Sequence, residues 1–277
     1  MPGTGVRGAV YVFLPVRKQL WGDSEFNDGW ASPALLTAVR TARKAGVVTR
    51  LYNPSPGGDA EGGQVLVQRS PRAGAGADPA LEALLAQAPA HWTVEESGAP
   101  LMAICTHGTR DRCCAKWGFA VYREAARLHG AGLSPFRPIE CSHLGGDRFA
   151  ATGIVFPSGS MYGHLDRADL LALAAAETAG EIVVAHYRGR VFESEMTQIV
   201  RAGLARDGHA VRAASALKLL NPDAAPGEVE VSAEDGARRF AVMIGTAQTA
   251  FYGSCTALAE ERPSKVRRLV YQGARLL

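Results

Sequence analysis

The chain has 277 residues, a net charge of +3, 47% hydrophobic and 21% charged residues. That balance supports a packed core and excludes a disordered chain. The mild, scattered positive charge excludes a nucleic-acid groove, and no apolar run reaches the roughly twenty residues a membrane helix needs.

In chain order, "AVYVFLP" predicts an apolar strand; it is too short, and too soon followed by proline chemistry, to be a signal peptide. "SPALLTAVRTARKAG" predicts a helix with Ser32 as N-cap, Pro33 in its first turn and Gly46 at its end. "VVTRLYN" and "QVLVQRS" predict strands, and the Gly/Pro-rich stretches "PSPGGDAEGG" and "PRAGAGADP" predict loops. "PALEALLAQA" predicts a short helix and "HWTVEE" a further strand.

A second segment begins near Pro100. "PLMAIC" predicts a buried strand ending at Cys105, and "KWGFAVYREAARLHG" a helix. "FRPIECS" predicts a strand whose proline suggests an edge or an irregular start. "ATGIVFPSGSMYGHL" predicts a hairpin turning at residues 157–159, and "DRADLLALAAAETAG" a helix capped by Asp166 and ended by Gly180. The order β-α-β-β-β-α is that of a thioredoxin-like core, and the first segment faintly echoes it. A helix at "SEMTQIVRAGLARDG" and strands at "AVRAASAL", "GEVEVSA", "RRFAVMIGTA" and "KVRRLVYQ" complete the chain. The expected organisation is α/β: an N-terminal α/β segment (1–98), a thioredoxin-like domain (99–180) and a C-terminal α+β extension (181–277).

The chemistry concentrates in two loops. "CTHGTRDRCC" carries Cys105, Cys113 and Cys114, and "CSHLGGDRF" carries Cys141, His143 and Asp147. Each follows a strand, and loops after parallel strands leave a sheet at the same end, so the two are expected to meet. Simple packing of cysteine and histidine in the core does not account for such clustering. A dithiol redox site calls for Cys-x-x-Cys, which is missing. A phosphatase-type loop needs five residues between cysteine and arginine, and four separate Cys105 from Arg110. A metal or iron–sulfur site with two ligands from each loop fits the donor types. The odd, clustered cysteines and the absence of an export signal lead to the expectation of a reducing, cytoplasmic compartment without a disulfide framework.

"CTHGTRDRCCAKWG" followed by "CSHLGGDRFA", with "YGHL", "YRGR" and the "GSC" ending at Cys255, resembles the sucrase/ferredoxin-like family. That resemblance is strong over about residues 100–190 and looser elsewhere. It implies a segment similar to thioredoxin-like ferredoxins, a [2Fe–2S] cluster and electron exchange with a redox partner protein. It does not imply sugar chemistry, for which no paired carboxylates argue. By the resemblance Cys105 and Cys114 bind one iron, Cys113 stands at a non-ligand position, and His143 binds the other iron. Where many members have a second histidine, this chain has Asp147. Cys141 and His107 are the next alternatives for the fourth ligand. Two thiolates neutralise an oxidised core of two irons and two sulfides; an aspartate adds one negative charge where two more thiolates would add two. The potential is therefore expected below a bis-histidine site and above an all-cysteine one. Other readings are a cluster-dependent enzyme with an exchangeable iron ligand, and a zinc site of two cysteines, one histidine and one aspartate. Arg110, Arg112, Lys116 and Arg148 are available to offset charge or dock a partner. Cys255, His91, His129, His164, His186 and His209 are expected to be structural.

Overall fold

A computed structural model describes residues 1–27, 29–54, 63–70, 78–96, 98–209, 211–212, 216–233 and 238–277. The chain runs through β1 (Val10–Pro15), α1 (Pro33–Lys44), β2 (Val47–Tyr52), β3 (Gln64–Arg69), α2 (Pro79–Leu85) and β4 (Thr93–Glu96). It continues through β5 (Leu101–Cys105), α3 (Phe119–Gly130), β6 (Arg137–Cys141), β7 (Gly153–Phe156), β8 (Ser160–Tyr162), α4 (Leu170–Thr178) and β9 (Tyr187–Arg190). Among the described residues these nine strands form one sheet, ordered β4-β3-β1-β2-β6-β5-β7-β8-β9. The molecule is thus mixed α/β, as expected. Most of the expected loops "PSPGGDAEGG" and "PRAGAGADP" lies outside the described residues.

The sheet repeats one pairing scheme twice. β1 lies parallel to β2 on one side and antiparallel to β3 on the other. β5 lies parallel to β6 and antiparallel to β7. The halves meet where Tyr52 of β2 pairs antiparallel with Cys141 of β6. β6 is therefore an inner strand, which corrects the edge expectation. β2 touches it only at that last residue, so Pro138 has no ladder donor to lose on that side.

Local chemistry sets the helix ends as the sequence predicts. The Ser32 hydroxyl accepts from the Leu35 N–H at 3.2 Å, and Pro33 occupies the first turn, where its missing N–H costs nothing. Asp166 and Asp169 form a reciprocal capping box ahead of α4. One core, built from Tyr11, Phe13, Leu66, Ala103, Ile154 and Phe156 among others, spans both halves of the sheet. Burying each large side chain of that kind contributes about 1.5–3 kcal/mol.

α5 (Glu195–Arg206) follows, with Ser194 as its N-cap, and then β10 (Leu217–Leu219), β11 (Gly227–Ala233), β12 (Arg239–Phe251), α6 (Cys255–Ala259) and β13 (Ser264–Leu276). β10 to β13 make a second, antiparallel sheet in that order. The strand expected over "AVRAASAL" is seen only from Leu217, part of that stretch lying outside the described residues. β12 and β13 are longer than predicted, pairing from Phe240–Leu276 out to Phe251–Ser264. α5 is buried on every face between Thr197 and Leu204. It packs on β9 of the large sheet and on β13 of the small one. Its Arg201 is fully buried and paired with Glu193.

Candidate metal centre

β5 and β6 run parallel with Cys105 opposite Cys141, so the loops after them emerge side by side. The chain leaves Cys105, makes a loop, and re-enters helix through a wide π-type turn, Cys114–Gly118, that opens α3. Gly118 is indispensable here. A Cβ at that position would lie 2.0 Å from the Cys105 carbonyl oxygen, so only glycine lets the turn lie against the end of β5. In the second loop Gly145 and Gly146 adopt φ of +87° and +75°, which favours glycine and turns the chain so that His143 and Asp147 face back toward the thiols.

The four residues expected to act together do converge. Cys105 and Cys114 are buried, free cysteines. The Cys114 thiol hydrogen-bonds to Cys105, whose sulfur also contacts His143 and faces the backbone N–H groups of His107 and Leu144. Cys114 Sγ lies 4.0 Å from Asp147 Oδ1, and Asp147 Oδ1 lies 2.9 Å from His143 Nδ1. That last pair is close but not aligned for a straight hydrogen bond, and His143 Nδ1 is buried without a hydrogen-bond partner. Once its proton is lost, a nitrogen so placed can bind a metal.

Proton affinities around this ring are strongly perturbed. The hydrogen bond from Cys114 holds the Cys105 thiol well below the ordinary range, and the His143 and backbone contacts outweigh the opposing effect of burial. Cys114 is pushed far up by the same hydrogen bond, by burial and by neighbouring negative charge. Burial opposes a charged His143, yet its contacts with Asp147 and Cys105 and their charges lift it to about 9. The ring therefore stabilises one thiolate beside one imidazolium, and a cation entering it would replace these protons.

The two alternatives adjoin the ring: Cys141 is the ladder partner of Cys105, and His107 Nδ1, like His143 Nδ1, is buried without a hydrogen-bond partner. Cys141 is completely buried in the shared core, and burial pushes its thiol well above the ordinary range. His107 is 1% exposed, with Nε2 2.9 Å from the Gly22 carbonyl oxygen and Trp21 packed edge-on against its ring. His129, His186 and His209 make structural contacts, as expected.

Three features were missed by the sequence reading. Cys113 and Cys255, 142 residues apart, form a disulfide, against the expectation of none. Asp111 is buried beside it and accepts the N–H of Cys113 at 2.8 Å and of Cys255 at 3.0 Å, fixing α6 to the first loop. Arg188, the Arg of "YRGR", is 2% exposed, donates to the Gly145 carbonyl at 2.9 Å and to Thr4, and pairs with no carboxylate among the described residues. Burial, then the charge of Arg148, lowers it to about 9, while the negative charges of Cys105 and Asp147 favour its charged form. Only the recurrence of "YRGR" and "GSC" in the family resemblance hinted at these two places.

The two loops and most of the sheet that joins them lie within residues 15–189, the stretch that matches the sucrase/ferredoxin-like family, well over half of the chain. The chain belongs to that family. Comparison with curated proteins and with solved structures gives no match. For this sucrase/ferredoxin-like chain, no helix among the described residues is long and apolar enough to cross a membrane. The ring of donors opens to solvent on the His143 side through a cavity of about 250 Å³ lined by Glu25, Arg43, Arg50 and Arg110. Beside it the π-type turn exposes Trp117, 48% accessible, with Lys116 stacked on its ring.

Proposed function

We propose that this chain carries a [2Fe–2S] cluster on a thioredoxin-like core and exchanges single electrons with a partner protein. Cys105 and Cys114 would hold one iron, and His143 and Asp147 the other. The observation that supports the reading is the convergence of two buried, unbridged thiols, Cys105 and Cys114, with the imidazole of His143 and the carboxylate of Asp147. Thiolates beside imidazole and carboxylate are donors that suit iron–sulfur chemistry.

When bound, such a cluster supplies a one-electron couple. The chain's own residues do the rest. Thiolates on the buried side and the imidazole and carboxylate on the solvent side set the direction in which an electron enters and leaves. The Cys105 sulfur, facing two backbone N–H groups, has its negative charge stabilised, which raises the potential. Arg188 adds a fixed positive charge behind Gly145. Exposed Arg110, Arg112 and Lys116 give the solvent side a basic rim that suits an acidic partner surface.

The distinguishing experiment is the potential of Asp147→His. It is expected to keep iron and sulfide and to titrate at a higher potential, because a neutral donor replaces a charged one. An unchanged potential with the cluster intact would remove Asp147 from the ligand set.

A further inference from the structure

The long β12–β13 hairpin carries Phe251 and Arg268 from the small sheet onto the second ligand loop. There three guanidinium groups alternate with two phenyl rings. Arg188 lies 4.5 Å from the Phe149 ring and Arg148 4.2 Å from it; Arg148 lies 4.0 Å from Phe251 and Arg268 5.6 Å from that same ring. The stacking fixes the faces of the guanidiniums; the N–H edges of Arg148 and Arg268 stay free, while those of Arg188 are held by Thr4 and Gly145.

Those edges border a cleft of about 470 Å³ between residues 3–7, the Gly145–Gly146 turn and β13. Arg7, Arg148, Arg188, Arg267 and Arg268 line it, with Glu195 as its single acid. Arg7, Arg148 and Arg268 have no side-chain hydrogen bond or ion pair with any described residue. Five like charges gathered around one space repel each other, and Glu195 in the lining and Asp147 nearby offset only part of that charge. At Thr4, Arg148 and Arg268 the cleft adjoins a second cavity of about 460 Å³ whose walls are largely apolar, among them Phe149, Val184, Ile199, Ala202 and Leu269.

The structure assigns to this pair of cavities a binding site for a small phosphate ester, with its phosphates among the arginines and a flat apolar ring in the adjoining cavity. Arginine forks match phosphate oxygens in pairs, and bound phosphate would relieve the repulsion within the cleft. The adjoining cavity supplies the surface that a bare inorganic anion leaves unused. This site does not depend on what the neighbouring ring of donors holds.

Calorimetry on the full chain at low salt, with adenosine diphosphate, pyrophosphate and adenosine as probes, tests the assignment. Adenosine diphosphate is expected to bind, pyrophosphate at least tenfold more weakly, and adenosine not measurably. Arg268→Ala should weaken adenosine diphosphate at least tenfold; Arg7→Ala, at an exposed position, should weaken it severalfold and serves if the first variant misfolds. Rising salt should weaken binding. No binding of the first two probes at millimolar concentration would overturn the site. So would equal affinity for pyrophosphate and adenosine diphosphate, or unchanged affinity in both variants. Binding of acidic polypeptide alone would make the cleft a protein-docking surface and overturn it equally.

Discussion

The loop after β1 and the loop after β5 occupy equivalent places in the two halves of the large sheet, yet only one of them presents metal donors. After β5 come Cys105 and Cys114, and Gly118 to let them lie together. After β1 come Val16, Trp21 and Gly22, and these build a wall. Trp21 Nε1 donates to the Val16 carbonyl at 2.8 Å, the Gly22 carbonyl meets His107, and the Trp21 carbonyl accepts from Thr109 at 3.1 Å. The first half holds the second half's loop in shape. One pairing scheme thus serves as scaffold in one copy and site in the other, and side-chain content decides which.

The strongest way to break this contrast is at the sulfurs. Cys105→Ser and Cys114→Ser are each expected to lose essentially all bound iron and visible absorption, while Val39→Ala, in the core of the first half, should keep both. Next comes the core the halves share. Phe156→Ala should cost about 3–5 kcal/mol in urea unfolding, against about 1.5–3 kcal/mol for Val39→Ala. Gly118→Ala should cost about 1–3 kcal/mol, because its Cβ meets the Cys105 carbonyl, and should also lower iron content. An effect on stability without one on iron would show that the turn and the site are separable.

Smaller effects sharpen the picture. Trp21→Phe removes one buried hydrogen bond from the wall, at about 1 kcal/mol, and should leave iron bound. Glu177 is buried, accepts from Tyr162 and Ser158, and is nevertheless raised above its ordinary value of 4.5, chiefly by burial. A raised acid keeps its stabilising contribution at low pH and loses it as pH climbs above that value through the folded-state pKa. Wild type should therefore lose thermal stability relative to Glu177→Gln as pH is raised from about 5 toward 8; parallel melting curves would show that burial is not the controlling effect.

Much of this was legible because it is local. Ser32 with Pro33, Asp166 with Asp169, and the turn at residues 157–159 announce their elements within a few residues. The convergence of the two ligand loops was legible because parallel strands send their loops to one end. The Cys113–Cys255 pair was not, since 142 residues separate its members and nothing local marks which thiols meet. Arg188 was hidden for a related reason: a strand arginine is ordinarily exposed, and only the tertiary fold puts Thr4 and Gly145 around it. The inner position of β6 was missed because Pro138 usually marks an edge, whereas here β2 stops short of it.

The most direct test is metal and sulfide analysis of the anaerobically purified chain, with electron paramagnetic resonance after reduction. Iron and acid-labile sulfide in equal amounts, with a signal that appears on one-electron reduction and vanishes in Cys105→Ser, is the predicted result. Zinc alone, or iron without sulfide, would contradict it.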